Sequence, residues 1–147
     1  MAYKIEKLSL DKMWLATMEI TVPDYSRDLY LKAIDSLRNE LIRLNVELTE
    51  PEYNYTVAYD SKDRIELVDV KLFIAVKEPI EDLGPIKFVQ EKPDELIRIV
   101  ADSFVDVHTG IAEWMHEHDY VADGDMRRVV DAQQEYVFDC PYKRADD

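Results

Sequence analysis

The chain has 147 residues, of which 47% are hydrophobic and 34% charged, and its formal net charge is −14. This length and balance fit one globular domain with a real core, residues 1–147. A negative field of this size disfavours nucleic acid and anionic membrane as direct partners and favours cationic ligands or basic protein surfaces.

Three glycines argue against a Gly-rich phosphate loop, and a single cysteine, Cys140, rules out an internal disulfide. No apolar run approaches the roughly 20 residues of a membrane span, and no charged-then-apolar leader is recognisable. A cytoplasmic location is the expectation. Cys140 reads as a small core residue rather than a nucleophile.

Tyr3–Leu8 alternates weakly and reads as a short strand, with a turn at Asp11 and Lys12. Met13–Val22 is rich in β-formers and reads as a second strand, ended by Pro23. Asp24 or Ser26 can cap a helix that begins near Arg27 and ends near Asn45. Its apolar stripe is Tyr30, Ile34, Leu37, Leu41 and Leu44. Glu50-Pro51 is a break. Tyr53–Tyr59 is a strand with Tyr53, Tyr55, Val57 and Tyr59 on one face. Asp60–Asp63 turns the chain into a hairpin with the next strand, Leu67–Lys77.

Residues 79–85 carry Gly84 and two prolines and read as a linker, after which the order repeats. Ile86–Glu91 and Leu96–Ala101 read as strands around a Lys92–Asp94 turn. Phe104, Val107, Ile111, Met115 and His118 recur at helical spacing, with Trp114 beside them. Residues 119–124 end that helix. Met126–Ala132 and Glu135–Tyr142 read as strands, and Arg144–Asp147 as a polar tail. Polar exits at Asn45-Val46 and Asp119-Tyr120 occupy like positions after the two helices.

The unit is thus strand-strand-helix-strand-strand, used twice: residues 3–78 and residues 86–143, joined by 79–85. Helices between antiparallel strands give an α+β class, with two helices packed on one face of an antiparallel sheet. The two closing strands, residues 69–76 and 135–142, organise the rest. A strand sends successive side chains to opposite faces. Tyr136, Phe138, Cys140 and Tyr142 therefore share one face, and Glu135, Val137, Asp139 and Pro141 the other. In the earlier copy Val70, Leu72, Ile74 and Val76 oppose Asp69, Lys71, Phe73 and Ala75.

This order resembles the gyrase-inhibitor-like effector-binding superfamily, which includes ligand-binding domains of multidrug-responsive transcription regulators and stand-alone relatives. The matching pieces are Trp14–Ile20 followed by the helix from Arg27, and Leu96–Val100 followed by the helix from Phe104. Each is followed by a polar exit, a hairpin and a closing strand. Val137–Tyr142, with its late proline, is similar to the family's terminal strand, and Ile74–Val76 to the same site in the first copy. The Gly-Pro-Tyr-like turn common in the family reads Val22–Tyr25 and Ser103–Asp106 here. Where the family often places an inward glutamate, this chain has Val137, with Glu135 and Asp139 two residues to either side.

The resemblance implies a ligand cleft between the two halves. It would be lined by Asp69, Lys71 and Phe73 from one closing strand and by Glu135, Val137 and Asp139 from the other, with Tyr53, Tyr55 and Tyr59 as aromatic walls. Carboxylates beside aromatic faces suit an amphipathic cation. The bland alternative is an ordinary solvated sheet surface with Lys71 paired to an acid.

No metal site is expected, because His116 and His118 are two apart and His108 lies on the same helix, unlike the three- or four-residue spacing of helical ligands. No cofactor and no nucleophile set is recognisable. Glu135 and Asp139 leave room for acid–base chemistry, and some relatives are hydrolases of strained cyclopropane compounds. The sequence therefore reads as a stand-alone small-molecule binding protein for an amphipathic or cationic ligand, monomer or homodimer, regulating transcription or drug response through a partner. An acidic interaction module of the gyrase-inhibitor kind is the alternative, and a hydrolase the third reading.

Overall fold

Strand β1 (Tyr3–Leu10) and strand β2 (Met13–Val22) open the chain, and helix α1 (Arg27–Arg43) follows. Strands β3 (Asn54–Asp60), β4 (Val68–Val76), β5 (Lys87–Glu91) and β6 (Asp94–Ala101) come next. Helix α2 (Phe104–His118) precedes β7 (Tyr120–Ala122), β8 (Arg127–Val129) and β9 (Tyr136–Arg144). The computed structural model describes residues 2–23, 27–60, 68–130 and 133–146. The expected caps Asp24 and Ser26 lie outside these, as does most of the expected turn at 60–63.

The chain divides into two compact units. A contiguous unit, Lys12–Lys92, has strand order β5-β2-β4-β3. A split unit, Met1–Asp11 with Pro93–Asp147, has strand order β1-β6-β9-β8, and β7 pairs with the end of β9. Every described pairing is antiparallel. The class is α+β; two strands and a helix open each half of the chain, followed by two strands after α1 and by three, β7 to β9, after α2.

The pairing corrects one expectation. The repeat read from the sequence places Tyr3–Leu8 in the first copy and Ile86–Glu91 in the second. In space β1 pairs with β6, and β5 pairs with β2. The apolar face of β1 explains its place, since Tyr3 and Ile5 pack with Ile99, Ala101, Val107 and Phe138 under α2.

In the contiguous unit α1 buries Tyr30, Ile34, Leu37 and Leu41 of the expected stripe and packs on β4, while Leu44, also expected there, lies past the helix end and is half-buried. Val70, Leu72 and Ile74 of β4 are almost fully buried there. The intervening residues Phe73 and Ala75 belong to a separate cluster with Leu15, Tyr55 and Val57, which contains no residue of α1. Each face of the sheet thus has its own core, as alternation requires. In the split unit α2 buries Val107, Gly110 and Met115 against Ile97, Ile99, Phe138 and Cys140. Phe104 and His118, expected on that stripe, are exposed, because they lie at the two ends of the helix.

Both helices end the same way. Asn45 and Asp119 take left-handed conformations, with φ of 61° and 57°. Val46 N–H donates to the Leu41 carbonyl and Asn45 N–H to the Ile42 carbonyl, a Schellman closure. Helix α2 starts on Ser103, whose side chain accepts from Asp106 N–H. Two further differences concern the chain end. Residues 120–122 form β7, and the closing strand runs past Tyr142 through Lys143 to Arg144, expected in the tail, because these two pair with Val121 and Tyr120.

Candidate functional site

In the contiguous unit the expected residues fall on the sheet face opposite α1. The β3–β4 register sets Tyr55 across from Phe73, Val57 across from Lys71 and Tyr59 across from Asp69. Tyr55 stacks on Phe73 with centroids 4.6 Å apart and planes 13° apart, and Tyr53 is tilted against Tyr55 at 5.2 Å. The ammonium of Lys71 lies 5.7 Å from the Tyr59 ring centroid. Asp69 accepts a 2.7 Å hydrogen bond from the Thr21 hydroxyl of β2. Glu19 stands directly across from Lys71 on the same strand and is exposed. Aromatic area, one cation and two carboxylates therefore share one face. Tyr55 is fully buried within it, while Tyr53, Tyr59 and Phe73 are half-buried.

In the split unit Val137 and Asp139 lie on the β9 face opposite α2, since Phe138 and Cys140 pack under that helix. Asp139 is completely buried and faces Arg98 across the β6–β9 ladder. Arg98 donates through Nε and Nη2 to the two Asp139 oxygens at 2.7 and 2.9 Å, a bidentate fork. Arg127 of β8 stands opposite Asp139 on the other side, buried, with Nη2 3.4 Å from Asp94. Glu135 is exposed and lies just before β9, outside the strand on which it was expected. Its carbonyl accepts from Arg128 at 3.4 Å.

Sequence reasoning missed Arg98, yet the signal was present. It is the one charge inside the apolar run Leu96–Ala101, and Asp139 is its opposite number inside Val137–Cys140. Burial pushes the Cys140 thiol up to about 11, and the charge of Asp139 adds to the shift. The thiol is thereby held protonated and unreactive. Burial also raises the Tyr142 phenol, with Glu95 and Tyr120 contributing.

The histidines of α2 are all exposed, and His118 shares its Nδ1 with the Trp114 carbonyl at 2.9 Å while stacking on the Trp114 ring. Trp114 itself is half-buried among Tyr120 and Tyr142. Among the described residues no group of three His, Cys, Asp or Glu side chains is arranged to hold a metal ion. Among the same residues no helix is long and apolar enough to cross a membrane.

Among the described residues, open recesses also lie away from these faces. One of about 510 Å³ sits at the end of α1, between Arg38, Glu47, Glu52 and Lys77. An apolar one of about 390 Å³ lies between α1 and the 83–86 turn, lined by Met18, Leu37, Leu83 and Ile86. A smaller one of about 260 Å³ is walled by Tyr3, Glu113, Trp114 and Glu117.

No family model matches the sequence, and no curated protein matches it significantly. Solved structures do match. The EcmrR C-terminal domain superposes with a TM-score of 0.75 at 18% identity, over 98% of this chain and 99% of that one. EcmrR in its DNA complex, seen by cryo-electron microscopy, gives the same TM-score and identity. There the match covers 97% of this chain and 58% of EcmrR, so this chain spans little more than half that protein's length. A hydrolase from Listeria innocua matches with a TM-score of 0.63 at 13% identity, over 95% and 92% of the two chains. At these identities the likeness is one of fold.

Proposed function

From the gyrase-inhibitor-like effector-binding fold of this chain, we propose that it is a small-molecule binding protein whose ligand is an amphipathic, cationic aromatic compound. The observation that carries the reading is the sheet face of the contiguous unit. There Tyr53, Tyr55, Tyr59 and Phe73 form an aromatic floor beside Asp69, Lys71 and Glu19, and α1 lies on the opposite face. A flat cation on such a floor gains about 0.5–2 kcal/mol per aromatic face beyond its burial, and the net charge of −14 raises its local concentration. Val137 and Asp139 form a second, acid-bearing face in the split unit, with Glu135 at its rim. Occupancy would be passed to a partner protein, a role in keeping with the fold's occurrence in a DNA-bound complex.

Fluorescence anisotropy with rhodamine 6G tests this. Saturable binding is expected, weakened about tenfold by Phe73→Ala and by Tyr55→Leu, which corresponds to about 1.4 kcal/mol each. Val105→Ala, at a 72% exposed position on α2, should leave it unchanged. Binding that disappears entirely in 0.5 M salt would reflect only the general negative field. No saturable binding, or indifference to both aromatic variants, refutes the reading.

A further inference from the structure

Strand β1 is the outer strand of the split unit, in the order β1-β6-β9-β8, and among the described residues no strand lies beyond it. One bond fixes which way its backbone points. Asp102 N–H donates to the Ala2 carbonyl, at the end of the ladder that sets Tyr3 opposite Ala101. Alternation along an antiparallel ladder then turns the polar groups of Lys4, Glu6 and Leu8 towards β6, and those of Tyr3, Ile5 and Lys7 outward. Such a row is a template for another strand, and the side chains beside it decide which strand it accepts. Tyr3 and Ile5 pack beneath α2. Lys7 lies on that same face, its ammonium 5.7 Å from the Tyr120 ring centroid. Lys4 and Glu6 are exposed and share the opposite face.

We propose that β1 is the pairing edge for a second copy of this chain, joined antiparallel about a two-fold axis through Ile5. An axis normal to the sheet keeps each face continuous, so every residue meets one from its own face. In this register Ile5 stands opposite its own counterpart, Tyr3 opposite the partner's Lys7, and Lys4 opposite the partner's Glu6. Ile5 and the Tyr3–Lys7 pairs exchange the outward N–H···O bonds. Lys4 and Glu6 form two reciprocal pairs of opposite charge, which favour the pairing. Moving the axis to Lys4, Glu6 or Lys7 sets that residue against itself, a like-charge contact that opposes it. The charges that guard this edge therefore single out one register. The helix face agrees. The partner's Lys7 arrives opposite Tyr3, beside the recess of about 260 Å³ that Tyr3 shares with Glu113, Trp114 and Glu117. Glu113 and Glu117 are one turn apart on α2, a spacing at which like charges repel, and a lysine ammonium offsets that repulsion. The Tyr3 hydroxyl, which donates to Glu113, ties the strand to this acidic rim.

Sedimentation equilibrium of the full chain at physiological salt is the test. A monomer–dimer equilibrium in the micromolar range is expected, since a single strand edge is a small interface. Lys4→Glu and Glu6→Lys should each weaken the dimer about tenfold, because each turns both reciprocal pairs into repulsions. The combined exchange, Lys4→Glu with Glu6→Lys, should restore the wild-type constant to within about threefold. The sign of Glu6→Lys is diagnostic. It lowers the net negative charge of −14, so general repulsion between two acidic chains would predict a tighter dimer instead. Both positions are exposed, and circular dichroism should show every variant folded. A chain that stays monomeric at millimolar concentration overturns the proposal. So does a dimer indifferent to the single changes, a dimer tightened by Glu6→Lys, or one that the combined exchange fails to restore.

Discussion

Replacing Gly110 by alanine tests how closely α2 approaches the sheet of the split unit. A Cβ at Gly110 would lie 2.6 Å from Ile99 Cδ1 and 2.9 and 3.0 Å from Tyr3 Cδ2 and Cγ. On an open helix the same change would stabilise by about 1 kcal/mol through propensity alone. Here the new methyl must push two neighbours. Ile99 Cδ1 is the end of a flexible side chain and can turn aside. The Tyr3 ring is held by its hydroxyl, which donates to Glu113. Overpacking of this kind costs about 1–3 kcal/mol, so the net loss should be about 1 kcal/mol, or roughly 3 °C in melting temperature for a chain of this size. Urea unfolding followed by circular dichroism measures it. Ile99→Val removes the nearest obstructing methyl and by itself costs about 1 kcal/mol. The double variant should lose at least about 0.5 kcal/mol less than the sum. Strict additivity, or a stabilised Gly110→Ala protein, would show that the helix does not sit this close.

Cys140 should resist thiol reagents at pH 8 in the folded protein and react at once in urea, because burial holds its thiol protonated. The folded value of about 11 lies above the ordinary 9.0. Its contribution to stability is therefore complete below about pH 9 and is lost as the pH rises towards 11. Cys140→Ala should flatten that part of the stability profile, leaving the remaining slope to tyrosines such as Tyr142; an unchanged profile would refute the shift. Arg128 places its guanidinium 5.5 Å from the ring centroids of Phe104, Tyr136 and Phe138. Arg128→Met should destabilise by about 0.5–2 kcal/mol in urea, and Arg128→Lys should recover only part, since an ammonium lacks the stacking plane. Wild-type stability in the Met variant would remove the contact from the account.

What was legible in the sequence was what periodicity encodes. The 3.6-residue stripe of α1 and the alternation of β4, with Val70, Leu72, Ile74 and Val76 on one face, give the buried faces found in the structure. Asn45 and Asp119 stood out as polar exits and are both left-handed caps. Partner choice between strands was not legible. β1 alternates weakly, and only the shape beneath α2, where Tyr3 and Ile5 fit against Ile99, shows that it belongs beside β6. β7 was hidden because Tyr120–Ala122 is too short to display a period and its partners lie at the polar end of the closing strand, where Arg144 reads as tail. Glu135 was read one residue into a strand that begins at Tyr136, and boundaries of this kind are set by ladder hydrogen bonds rather than by residue type.

The two copies have kept one plan of strands while separating their chemistry. In each, the strand before the helix lies beside the closing strand, β2 beside β4 and β6 beside β9, and the face away from the helix carries the polar residues. In the contiguous unit that face became aromatic, with a lysine resting over Tyr59. In the split unit it became ionic, with an arginine seated on a sealed aspartate. An aromatic floor binds flat molecules with little regard to their substituents, because every ring has a π-face to offer. A buried carboxylate with fixed lone pairs is demanding, accepting only donors that match its two oxygens.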